Sequence, residues 1–73
     1  MDHPRIERDP AVMVGKPVTK GARLTVEHIL RDVASGLSFA EIADAYPRIS
    51  VEDVQAALAW AADFVAHEGL VAA

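Results

Sequence analysis

The chain has 73 residues, 52% of them hydrophobic and 25% charged, with a formal net charge of −4, which is the composition of one small soluble globular domain and leaves no length for a second. The absence of cysteine excludes disulfide stapling, thiolate zinc sites and thiol catalysis, and it fits a reducing, cytoplasmic compartment. The polar stretch from Met1 to Asp9 contains no signal-peptide core, and Val54 to Ala66, broken by Gln55 and Asp63, falls short of the ~20 residues that span a bilayer.

Residues 1–24 hold five basic groups (Arg5, Arg8, Lys16, Lys20 and Arg23) against three acids, while the rest of the chain holds two against eight. A basic N-terminal third on an acidic body is a pattern that nucleic-acid contacts can produce, and so can ordinary surface scatter. Pro4, Pro10, Pro17, Gly15 and Gly21 leave no window for a helix there. Short strands are predicted at Arg5–Glu7 and Pro17–Thr19, with turns at Asp9–Pro10 and Lys20–Gly21, giving a two-stranded ribbon. A lone ribbon is marginal and must pack on something.

From Thr25 the hydrophobic period becomes helical. Thr25 is the expected cap of a first helix with Val26, Ile29, Leu30, Val33 and Leu37 on one face, Glu27 and Arg31 paired opposite, and Gly36 as its left-handed stop. Ser38 with Glu41 forms a capping box, and Leu37 with Ile42 a hydrophobic staple, for a second helix that runs from Phe39 to about Tyr46 and ends at Pro47. Ser50, Asp53, Ile49 and Val54 repeat both devices for a third helix that reaches about His67, with Gly69 placed to close it. The predicted fold is mainly α: a three-helix, homeodomain-like helix-turn-helix bundle after a short N-terminal β-ribbon. A single domain covers residues 1–73, with the ribbon in 1–24, the helical core in 25–68 and a tail in 69–73.

Gln55 and Asp63 lie ~80° apart on the third helix, so most of its circumference is apolar. One stripe, Val54, Leu58, Ala61 and Val65, is assigned to the core. A second, Ala57, Trp60 and Phe64, together with Leu70 in the tail, is assigned to a partner or homodimer interface, where aromatic anchors concentrate. The competing assignment folds the ribbon over Trp60 and Phe64.

Catalytic chemistry finds no carrier. His3, His28 and His67 form no pair at helical ligand spacing, so no metal site is expected. The Gly15–Lys16 pair lacks the flanking residues of a phosphate loop, and Pro17 removes an amide. No nucleophile stands at readable spacing from a base, and no cofactor is called for, so the expectation is a protein that is not an enzyme.

Gly15–Lys16–Pro17–Val18, Gly21–Ala22–Arg23–Leu24–Thr25–Val26, Gly36–Leu37–Ser38, Glu41–Ile42, Ala45–Tyr46–Pro47 and Val54–Gln55–Ala56–Ala57–Leu58, in that order, resemble the domain-of-unknown-function 433 family of small prokaryotic proteins over about residues 5–65. Ala22 stands where that family usually has the threonine of a Gly-Thr-Arg triplet, which removes a hydroxyl from the turn. The resemblance implies a helix-turn-helix antitoxin of a type II toxin–antitoxin system. Such a protein neutralises a PIN-like nuclease toxin and binds its own operator. Arg48, Ser50 and Gln55 at the start of the third helix, with Arg5, Arg8, Lys16, Lys20 and Arg23, are the candidate DNA contacts, opposed by Glu52 and Asp53. The alternative is a small dimeric protein-interaction adaptor whose helix-turn-helix no longer functions.

Overall fold

The computed structural model describes residues 3–11 and 13–67. Within them are two strands, β1 (Ile6–Glu7) and β2 (Val18–Thr19), a 3₁₀ turn at Met13–Gly15, and three helices, α1 (Val26–Ala34), α2 (Phe39–Ala45) and α3 (Val51–His67). The protein is thus mainly helical with an N-terminal antiparallel ribbon, as the punctuation and periodicity predict. Gly69 and Leu70 lie outside the described residues.

The ribbon pairs Ile6 with Thr19 and Glu7 with Val18. β2 is bonded on both edges: Lys20 N–H donates to Arg5 O on one side, while Thr19 N–H donates to Leu24 O and Val26 N–H to Pro17 O on the other. Residues 17–26 therefore form a second hairpin that leads directly into α1. Successive strand side chains point to opposite faces, and Val18 and Thr19 are both fully buried, so β2 is covered on both faces. The Thr19 hydroxyl is satisfied inside the hairpin, accepting from Leu24 N–H and donating to Leu24 O. Gly21 at φ +84 and Arg23 at φ 56 take the left-handed conformations that close this tight connection, a conformation glycine adopts freely and arginine does not.

Each helix starts where its cap predicts. The Thr25 hydroxyl accepts from His28 N–H. Ser38 and Glu41 form the reciprocal box, Glu41 N–H donating to Ser38 Oγ and Ser38 N–H to Glu41 Oε1. Ser50 and Asp53 do the same at α3, with Asp53 filling the role that glutamate has at α2. α1 ends in a full Schellman closure: Gly36 at φ +97 donates to Val33 O and Leu37 donates to Asp32 O, satisfying carbonyls that the helix cannot. α2 stops at Ala45, one residue before the expected Tyr46. Tyr46 is already extended (φ −124, ψ 97) because Pro47 excludes the helical region for the residue before it. Ile49 N–H then donates to Tyr46 O, closing a β-turn with proline at its second position.

The core is Ile6, Val26, Ile29, Ile42, Ile49, Val54 and Ala57, with Leu37, Phe39, Tyr46, Leu58 and Trp60 packed at its margin. Both hydrophobic staples feed it. α3 is the shared neighbour of α1, α2 and β1.

The two boxes also make stability depend on acid. Hydrogen bonds from the Ser38 amide, then its hydroxyl, hold the Glu41 carboxyl below its usual range. Burial, the largest single influence on Asp53, pushes its carboxyl up, but the Ser50 amide, Arg5 and the Ser50 hydroxyl together pull it below the usual range. A carboxyl depressed on folding stabilises above its unfolded value, and that contribution is lost as pH falls through the folded value. Thermal melts should therefore fall as pH drops below about 4, with the slope reduced in Asp53→Asn; an unchanged acid slope would contradict the assignment. At neutral pH, Ser38→Ala and Ser50→Ala should each cost about 1 kcal/mol, measured by urea unfolding.

Candidate functional site

Two surfaces combine shape with chemistry. The first is an apolar groove of about 540 Å³ between α1 and the C-terminal half of α3, lined by Val26, Leu30, Ala34, Trp60, Ala61, Phe64 and Val65, with Arg8, Pro17, Glu27 and Arg31 around it. The Trp60 and Phe64 rings stack at its edge, 5.2 Å between centroids and 11° from parallel. Phe64 is 43% and Val65 47% exposed. At the rim, Glu27 accepts from Lys16 and from Arg31, and these bonds, that of Lys16 foremost, hold its carboxyl below the usual range.

The assignment of α3 residues to core and interface needs two corrections. Ala57, expected at the partner interface, is fully buried in the core and cannot meet another molecule. Val65, expected in the core, is exposed because it lies beyond the neighbours that enclose Val54. Trp60 and Phe64 do sit together at a surface, whereas Leu70 is outside the described residues.

The ribbon does not cover the aromatic pair but flanks it. Ile6 N–H donates to His3 O, a turn that brings His3 back to α3, where its Nε2 lies 2.8 Å from Asp63. His3, Asp63 and His67 share a second cleft with Trp60 and Phe64. Among the described residues no group of three or more His, Cys, Asp or Glu side chains could hold a metal ion. Sequence reasoning had no local signal for the contact between His3 and Asp63, 60 residues apart.

The second surface joins two turns. Ala22 and Leu24 face Tyr46, Pro47, Arg48 and Ile49 across a cleft of about 330 Å³. The structure divides the expected DNA contacts into two sets. Arg5 donates to Asp53 at 3.0 Å, Arg8 donates to Gly15 O and Lys16 is paired with Glu27, so these three fasten the N-terminal segment. Ser50 is engaged in its cap. Lys20, Arg23 and Arg48 are exposed and form no ion pair among the described residues, and Gln55 is exposed on α3. Neither α2 nor α3 contains a lysine or arginine, and their exposed side chains include Glu41, Asp44 and Glu52.

Behind the cleft between the two turns, Tyr46 is fixed by α1. Its hydroxyl meets His28 Nε2 and donates to Asp32, and the His28 and Tyr46 rings meet edge to face at 5.5 Å. Burial, then the Asp32 charge, raises the Tyr46 phenol above its ordinary value. The i,i+4 pairing of His28 with Asp32 is readable from the sequence; the tyrosine that completes it is not.

Among the described residues no helix is long and apolar enough to cross a membrane. Neither a curated protein nor a solved structure gives a match to the chain. A family match covers residues 6–61, from β1 to the middle of α3: the chain belongs to the family described as protein of unknown function (DUF433).

Proposed function

We propose that this chain is an antitoxin that neutralises a PIN-like nuclease toxin in the cytoplasm by receiving an apolar segment of it in the groove between α1 and α3. The observation that carries this reading is the groove itself, with the stacked Trp60 and Phe64 at its edge. Large aromatic side chains beside a concave apolar surface are the usual anchors of protein association. What the family resemblance implies supports a nuclease toxin as the partner. A helix laid in such a groove would meet Leu30 and Ala61 at its floor and the Glu27 and Arg31 charges at its rim, a helix-in-groove arrangement.

In the same reading α2, the turn at Pro47 and Arg48, and α3 form a homeodomain-like helix-turn-helix. Its use in operator binding is limited by charge, since two helices without a lysine or arginine approach a polyanion with Glu41, Asp44 and Glu52 exposed. Gln55 is the one base-reading amide on α3. Protein binding is therefore the primary activity and operator binding the secondary one. Self-association through the same aromatic end is the competing use, favoured by the exposure of Phe64 and Val65 beside Ala62 and Ala66.

Co-expression with the proposed PIN-like nuclease partner should restore growth, and Trp60→Ala with Phe64→Ala should abolish the rescue, each truncation costing about 2 kcal/mol of association. Helical circular dichroism should persist in the double variant. Rescue that survives both substitutions would contradict the groove assignment, and a sedimentation mass halved by them would assign the groove to a homodimer.

A further inference from the structure

We propose that the cleft between the 20–24 turn and the α2–α3 turn binds single-stranded nucleic acid, with a base against Tyr46 and Pro47 and the flanking phosphates held by Lys20, Arg23 and Arg48. The site shares no residue with the α1–α3 groove and does not depend on α3 entering a groove of DNA, so it stands or falls apart from the antitoxin reading.

The first support is charge. Arg5, Lys16 and Arg31 are paired with carboxylates and Arg8 with a carbonyl. Lys20, Arg23 and Arg48 lack such partners among the described residues, and they sit on the two turns that face each other. Among the described residues no acid lines the cleft.

The second support is rigidity. Arg23 is held at φ 56, a conformation a non-glycine residue keeps only where its surroundings enforce it, and such positions concentrate at functional sites. What enforces it here is the buried hairpin: Arg23 N–H donates to Thr19 O, and Leu24 is bonded to Thr19 through both backbone and hydroxyl. The turn that carries Lys20 and Arg23 is therefore preformed.

The third support is the lining. Ala22, Leu24, Pro47 and Ile49 are apolar, and the Tyr46 hydroxyl is already engaged by His28 and Asp32, so tyrosine offers the cleft its ring. An acidic peptide would use the cations and leave this apolar lining idle. A duplex keeps its bases stacked inside and cannot reach it. An unstacked nucleotide supplies both a flat ring and a phosphate, the combination that single-strand binders recognise.

Fluorescence anisotropy with a short labelled oligothymidylate tests this. At low salt the wild type should bind, with log affinity falling against log salt at a slope near −2 for three phosphate contacts. Arg23→Gly accepts the left-handed backbone without strain and removes the cation, and Arg48→Gln removes another; each should weaken binding several-fold and reduce the slope by about 0.7. Tyr46→Leu should weaken binding with the slope unchanged. Absence of binding at low salt, equal binding by Arg23→Gly and Arg48→Gln, or equally tight binding of a duplex or of polyglutamate would each overturn the proposal. The two cation variants decide the matter even if Tyr46→Leu fails to fold.

Discussion

The enclosure of Val54 and Ala57 is the constraint on which the rest of the molecule depends. Both are fully buried, and around them close Ile29 from α1, Ile42 from α2, Ile49 from the turn and Ile6 from β1. With alanine at one of these positions, the neighbouring elements can approach α3 closely. The helices that meet there differ in length: α3 has 17 residues, α1 nine and α2 seven. At 1.5 Å per residue that is about 26 Å against about 14 and 10 Å. The N-terminal half of α3 is enclosed by all of these elements, whereas beside Trp60, Phe64 and Val65 the only helical wall is α1, with Val26, Leu30 and Ala34, and the groove stays open.

The N-terminal segment is fixed by the same body. β2 is bonded on both edges, and the chain before it is tied to α3 through His3 with Asp63 and Arg5 with Asp53. Part of the charge asymmetry between the first 24 residues and the rest is therefore internal neutralisation: Arg5 and Lys16 meet acids of the helical body. Among the described residues, the cations left with neither an ion pair nor a carbonyl partner are Lys20, Arg23 and Arg48, which lie on turns. This separates the cleft at the 20–24 turn from the α1–α3 groove.

Much of the fold was legible because its signals are local. Thr25, Ser38 and Ser50 mark helix starts within four residues of sequence, Gly36 and Pro47 mark stops, and the prolines and glycines before Thr25 confine that region to a ribbon and turns. The site was legible only in part. At 100° per residue, Ala57 and Phe64 differ by only ~20° in direction, so periodicity places them on one stripe. Seven residues along the axis separate full burial from exposure, and Val65 differs from Val54 in the same way. Angular position is written in the sequence, but depth along the helix is set by where α1 and α2 end. The contacts of His3 and Arg5 with α3, and the approach of the 20–24 turn to Tyr46 and Pro47, join residues far apart in the chain. They follow from the closure of the fold and have no counterpart in local pattern.

Trp60 is the single tryptophan of the chain and stands at the edge of the groove, half-buried, with one face on Phe64. Its emission therefore reports directly on whether the groove is filled. Titration with the nuclease proposed as its partner should shift Trp60 fluorescence to shorter wavelength and protect it from a soluble quencher, with tryptophan-free nuclease used so that no other signal intrudes. Complex formation that leaves both the emission maximum and the quenching of Trp60 unchanged would contradict the account and place the partner elsewhere on the molecule.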